Sequence, residues 1–370
     1  MKFLISDFHI GCQLWQASLL KKLGHEVNIM SFSGYKHLND IDKTMFVEDL
    51  ISDKSAESIK NIGNLHSGII TSEDADKLRN YDSLIVSFPP RFIEVFKNIE
   101  FKNKILLNAG HRLHIYTNND PWFLDKLIYY IESGKVVLCS MSKYDTEYIK
   151  HYLNIEPVEL DVACFHLPDN IRYSPIKKEI LISPVNATNI KPFTSISEMN
   201  LMASNFGYNL IFSYIKTLHA NYNYYDIIKY RATVLFPYSA FSISMIELYE
   251  LNIPMFVPSD ELLISNELMN DVSLYPFYCT ESYMNALDIP HINSPHKFSP
   301  NSYNIKDKKY WLQYSYFKQK KNIIYWNSPE DLFVKLSTLN LQEISERMKL
   351  ENEIHKLKQL DNWKNIINQL

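Results

Sequence analysis

The stretch 232–259, ATVLFPYSAFSISMIELYELNIPMFVPS, constrains the fold more than any other because it reads as strand, loop, helix and strand in immediate succession. Thr233 to Phe236 form a short apolar run with β-branched residues, and Pro237 with the Ser-rich loop breaks it. Helix signals follow over 245–251, with Ser242 and Ser244 as candidate N-caps, and Pro254 opens a second strand, MFVP. Strand, helix and strand at this spacing make a βαβ unit, whose first helical turn presents backbone N–H groups at the strand's carboxyl end. Glu247 stands at that turn. A carboxylate there can accept two hydroxyl hydrogens, as a ribose would offer, or it can simply complement the positive end of the helix dipole.

The same grammar opens the chain. KFLIS reads as a buried strand, DFHIG as a loop whose Gly11 has conformational freedom, and QLWQASLLKKLG as an amphipathic helix stopped at Gly24 before the strand HEVNIMSF. His9 lies in that first loop and is suited to proton transfer near neutral pH, although a loop histidine can equally bond to backbone; Asp7, two residues away, can orient it. YDSLIVSFPP is a further strand, RFIEVFKNI a helix and KILLNAGHRLH a strand with His111 and Arg112 at its end. Arg112 can attract a phosphate or carboxylate, and His111 can also be satisfied by a core carbonyl. KVVLCSMSKYDTEYIKHYLNI continues as strand, Ser-containing cap and helix.

Pro168, Asp169, Asn170 and Pro175 punctuate a linker, after which EILISP, a polar loop with helix, and YNLIFSY restart the pattern. Repetition of βαβ grammar in both halves predicts an α/β protein of two Rossmann-like domains facing across a cleft. The expected division is 1–170, 171–340 and a C-terminal helix over 341–370 that packs back on the first domain, with Trp363 as a candidate anchor. In the loop after EILISP, Asn186, Thr188, Asn189 and Lys191 offer amide, hydroxyl and ammonium donors, and Lys216 follows YNLIFSY; the alternative for both lysines is a solvated surface.

Two domains also suit 370 residues, and 46% apolar with 22% charged residues is enough for sizeable cores. A net charge of −4 argues against general nucleic-acid binding. Cys12, Cys139, Cys164 and Cys279 are widely spaced and form no C-x-x-C pattern, so neither a disulfide nor a structural metal is expected and a cytoplasmic setting fits. There is no G-x-G-x-x-G after the first strand and no Walker loop, which weakens dehydrogenase and ATPase readings. No apolar stretch reaches membrane-spanning length.

IELYELNIPMFVPS resembles the donor-site signature of GT-B glycosyltransferases, family-four-like and family-one-like but divergent, in which a Glu stands seven residues before the Pro of a G-x-P-V-I strand. Glu247 and Pro254 keep that spacing, and Asn252 takes the usual Gly place. The L-x-x-x-G-H-E-V unit at 20–27 is similar to the first unit of these enzymes, and KVVLCSMSKYDTEYIKHYLNI to the unit that ends their first domain. The resemblance implies a nucleotide-diphosphate sugar, such as a UDP or GDP sugar, as donor substrate, a glycan or other hydroxyl compound as acceptor, and no cofactor. It places Glu247 on the ribose, with Ser242 and Ser244 beside it, the loop donors 186, 188, 189 and 191 and Lys216 on the diphosphate, His111 near the donor sugar and Arg112 on the acceptor side. Retaining relatives carry a second Glu eight residues before the ribose Glu; here that residue is Ser239, so an inverting reaction is expected. Inversion needs a base, for which His9, Asp7, His111 and Asp120 are the candidates, His9 first by position. No metal motif follows a strand, so metal-independent chemistry is expected, with helix N–H groups and lysines stabilising the leaving diphosphate. A nucleotide-sugar 2-epimerase of the same fold and a non-catalytic glycan-binding relative are the alternatives.

Overall fold

The computed structural model describes residues 1–7, 10–31, 72–110, 113, 122–183, 195–214, 223–237, 239–265, 290–302 and 304–370. They fall into two compact units. The first comprises the described residues within Met1–His166, Pro276–Asn301 and Lys358–Leu370, and the second those within Leu167–Tyr275 and Ser302–Leu357.

The first unit is built on β1 (Lys2–Asp7), β2 (Glu26–Ser31), β3 (Ser83–Val86), β4 (Ile105–Ala109), β5 (Val136–Ser140) and β6 (Val158–Glu159). All are parallel, in the order β2-β1-β3-β4-β5-β6. Strands covered on both faces must be apolar throughout, and Phe3, Leu4, Ile5, Leu84, Ile85, Val86, Leu106 and Leu107 are all fully buried. The first crossover is the helix Ile10–Lys22, with Lys21 and Lys22 against the negative end of its dipole and Gly24 at φ +86° turning the chain into β2. RFIEVFKNI, expected as a helix, takes the tight 3₁₀ form over Pro90–Phe96, with proline in its first turn and all but Glu94 of its side chains buried. The helix Lys143–Leu153 starts where Ser142 Oγ accepts the Asp145 N–H at 3.1 Å and ends at Asn154, φ 52°.

Residues 290–301 pack on that helix. Asn301 Nδ2 donates to the hydroxyls of Tyr148 and Tyr152, at 3.0 and 2.6 Å. His296 Nε2 lies 2.8 Å from Glu147 Oε2, and Glu147 Oε1 lies 2.6 Å from Lys143 Nζ. Burial by itself would raise the Glu147 pKa, but Lys143, Lys150 and His296 together outweigh it and hold the carboxyl low.

The second unit is built on β7 (Ile180–Ser183), β8 (Phe212–Tyr214), β9 (Ala232–Leu235), β10 (Met255–Pro258) and β11 (Ile324–Trp326), again all parallel, in the order β11-β10-β9-β7-β8. Counted from its own first strand, this sheet repeats the order of the first: second, first, third, fourth, fifth. Its crossovers include the helices Ile196–Asn205, which starts with a Ser195/Glu198 capping box, and Ile243–Glu250. The last helix, Leu341–Ile367, has its residues to Leu357 in the second unit and those from Lys358 in the first. Within the first unit Trp363 is fully buried and meets Trp15 edge to face, with ring centroids 5.7 Å apart. No described helix is long and apolar enough to cross a membrane.

Candidate functional site

In an open parallel sheet, ligands bind beyond the carboxyl ends of the strands where the order reverses, because the loops there diverge and leave a crevice. The reversal falls between β1 and β3 in the first unit and between β7 and β9 in the second.

In the second unit the chain leaves β9 through Phe236 and Pro237 and enters the helix Ile243–Glu250. Ser242 has the extended backbone of an N-cap (φ −154°, ψ 131°) but its hydroxyl makes no capping bond; Ser242 Oγ and Ser244 Oγ instead lie 2.9 Å apart. Ser244, expected as an alternative cap, is inside the first turn. Ser244 and Glu247, three residues apart, stand on one helix face and are the positions of this helix that are not buried. Tyr224 Oη donates to Glu247 Oε1 at 2.9 Å. A phenol uses one of about four acceptor sites of a carboxylate and fixes its rotamer without neutralising it.

The helix carrying Glu247 is held rigidly at its far end. Asn252, in the place usual for glycine, has φ 61°, and Leu251 and Asn252 N–H donate back to the carbonyls of Glu247 and Tyr249. Asn352 Nδ2, from the last helix, donates to Asn252 Oδ1 at 2.8 Å and to the Tyr249 carbonyl at 3.1 Å. Lys356 Nζ lies 3.2 Å from Glu250 Oε2, whose side chain is wholly buried. Ser239, where retaining relatives of the resembled family carry their second Glu, accepts the Phe241 N–H at 3.3 Å.

In the first unit Asp7 ends β1 with no exposed surface, and its Oδ2 accepts the Phe88 N–H just beyond β3 at 2.9 Å. It thus ties the two strands that flank the reversal. Around it Gln13 Nε2 donates to the carbonyls of Asp7 and Met30, at 3.2 and 2.7 Å, and Gln16 Nε2 donates to Ser87 Oγ at 2.7 Å. The Cys12 thiol is pushed up by burial and further by Asp7 and Asp145, which favours the protonated thiol there.

Of the residues nominated from sequence, Asp7, Ser242, Ser244 and Glu247 are described; Ser244 and Glu247 share one helix face, and Ser242 is the N-cap residue that precedes them. His9, His111, Arg112, Asp120, Asn186, Thr188, Asn189, Lys191 and Lys216 lie outside the described residues. Tyr224 is the site neighbour that sequence reasoning missed. Asn223 and Asp226 form a capping box that places a helix start at Tyr224, which the N-x-x-D spacing signals, but nothing in the sequence pairs that tyrosine with Glu247. Among the described residues no group of three or more His, Cys, Asp and Glu could hold a metal ion. Cys12, Cys139 and Cys164 are buried and in no disulfide.

No family model matches the chain, and no curated protein matches its sequence. Among solved structures, the MnaA–UDP co-structure from S. aureus is similar at 14% sequence identity, covering 70% of this chain and 79% of that one, with a TM-score of 0.37.

Proposed function

We propose that the protein is a glycosyltransferase that uses a nucleotide-diphosphate sugar and inverts the anomeric centre without a metal ion. The observation that carries this reading is Glu247: a half-buried carboxylate one turn into the helix that follows β9, one of the two strands at the order reversal, on the same face as the exposed Ser244. Its oxygens suit the vicinal hydroxyls of a ribose, and the N–H groups of the helix's first turn, which precedes it, suit a phosphate. Tyr224 holds the carboxylate in place, so less rotamer freedom is lost on binding. In this reading Asn186, Thr188, Asn189, Lys191 and Lys216 stabilise the diphosphate as it leaves, His111 meets the donor sugar and Arg112 the acceptor. His9 accepts the acceptor's hydroxyl proton, with Asp7, His111 and Asp120 as the other candidates for that base.

The test is calorimetric titration with UDP and GDP, followed by turnover of the matching sugar nucleotides. Glu247→Ala is expected to weaken nucleotide binding by about 1–3 kcal/mol, the loss on removing a charged hydrogen-bond partner. Unchanged affinity would remove Glu247 from the ribose. His9→Ala is expected to lower turnover about 10²–10⁴-fold with nucleotide affinity intact. Formation of free diphosphate and a rearranged sugar with no acceptor present would favour the 2-epimerase instead.

A further inference from the structure

The last helix is buried along one side and exposed along the other, as the helical period requires of an element packed on one face. Leu341, Met348, Asn352, Gln359, Trp363 and Ile366 form the buried side. Along the opposite side, at steps of four and three residues, Leu350, Ile354 and Leu357 follow one another at 59%, 55% and 65% exposure. Every other exposed residue of this helix is polar or charged. Single exposed apolar side chains are ordinary on a protein surface, whereas three in one seam, at the spacing with which paired helices meet, mark an interaction surface.

The seam ends in charges of a definite order. Glu343 and Arg347 precede it and Asp361 and Lys364 follow it on the same line, all four exposed. Each end is a surface ion pair: Arg347 Nη1 lies 3.6 Å from Glu343 Oε1, and Lys364 Nζ lies 3.4 Å from Asp361 Oδ1. Turned end for end about Ile354, the line lays Leu350 against Leu357 of a second copy, Ile354 against Ile354, Arg347 against Asp361 and Glu343 against Lys364. The ion pairs then join into a ring of alternating charge at each end of the seam, and neither has to break. Parallel pairing in register would instead set each of these charges against its own kind. Glu353, beside the axis, is accompanied by Lys349 at 3.6 Å, which limits repulsion between the copies there.

We propose that this face is a self-association surface, on which a second copy of the chain docks its own last helix antiparallel across a two-fold axis near Ile354. The seam lies on the side of the helix away from Asn352, so docking leaves the bond from Asn352 to Asn252 untouched, and neither Glu247 nor its helix takes part. Three apolar side chains from each copy make a small contact, of the transient class below about 1,200 Å², so a reversible dimer in the micromolar range is expected. The experiment is sedimentation velocity of the full chain from about 1 to 200 µM, a range that spans such a dissociation constant. Ile354→Glu, Arg347→Glu and Asp361→Arg each change an exposed side chain and are checked for folding by circular dichroism. Wild type is expected to pass from monomer to dimer over this range. Ile354→Glu sets two carboxylates face to face in the seam, and each charge reversal opposes like charges twice, so each variant should associate at least about tenfold more weakly. An equimolar mixture of Arg347→Glu and Asp361→Arg should associate again, because in the mixed pair both contacts between positions 347 and 361 regain opposite charges. That recovery also shows that both variants are folded and that the helices run antiparallel. A wild type that stays monomeric up to about 200 µM, which would leave the seam to a different protein, overturns the proposal. So does a dimer that Ile354→Glu or the charge reversals leave intact, or a mixture that fails to recover.

Discussion

Asn252 sits at the junction that fixes the Glu247 helix, and two separate terms set the cost of replacing it. Its φ of 61° is a conformation that an ordinary L-residue enters at about 1 kcal/mol, that glycine enters freely and that asparagine tolerates. Its Oδ1 also accepts the Asn352 amide at 2.8 Å, and Asn352 is only 5% exposed, so deleting that acceptor leaves a nearly buried N–H without it. Such a loss is worth about 1–1.5 kcal/mol. Asn252→Ala incurs both terms and is expected to destabilise the second unit by about 2–3 kcal/mol; Asn252→Gly incurs the bond term alone, about 1 kcal/mol. Urea unfolding gives the magnitudes, and hydrogen exchange of peptides spanning 243–258 and 341–357 shows whether the loss is local to this junction. A cycle with Asn352→Ala should return a coupling near 1 kcal/mol. If Asn252→Ala proves as stable as Asn252→Gly, the backbone term is wrong; a coupling near zero removes the side-chain term.

Trp363→Ala removes a fully buried indole packed on Trp15 and should cost about 3–5 kcal/mol, read as a lower melting temperature; a change under about 1 kcal/mol would mean the two rings do not anchor the last helix. The His296 imidazole titrates below its ordinary 6.5 because burial lowers it more than Glu147 raises it. The folded state therefore holds it neutral, and its contribution is present above about pH 6.5 and lost as pH falls from there toward the folded value. His25, also lowered by burial, acts in the same direction. Wild-type stability should fall between pH 7.5 and 5.5, and His296→Gln should flatten that slope; equal slopes would refute the assignment. The proposed sugar transfer, if metal-independent, should survive EDTA, and activity lost to chelator and regained with Mg²⁺ or Mn²⁺ would show that a cation serves the diphosphate.

Much of the local architecture was legible because it depends on residues close in sequence. KFLIS, VVLCS and MFVP are apolar runs bounded by breakers, and each is a strand. Gly24 stops the first helix, and Ser142 caps the helix after β5. The 245–251 periodicity locates the Glu247 helix to within two residues at its start and one at its end, Ile243–Glu250. Pro90 gave too weak a signal to separate a 3₁₀ helix from an α-helix, because both bury the same side chains and differ only in how tightly the backbone winds.

The rest is set by contacts between residues far apart in the chain. Strand order depends on which apolar faces find each other, so βαβ grammar implies a parallel sheet but not that both sheets reverse between their first and third strands. The return of residues 290–301 to the helix Lys143–Leu153 rests on bonds such as Asn301 to Tyr148 and Tyr152, which no periodicity announces. At the candidate site the sequence by itself determined that a carboxylate stands on the helix that follows a strand, but because the helix starts two residues earlier than its apolar periodicity, at Ile243, Glu247 lies in the second turn rather than at the entrance. Only the tertiary structure decided that Tyr224 grips it, that Ser242 turns from capping the helix to Ser244, and that Asn352 and Lys356 brace the helix from behind. Periodicity encodes which face of an element is buried; the partner across that face is chosen when the elements pack together.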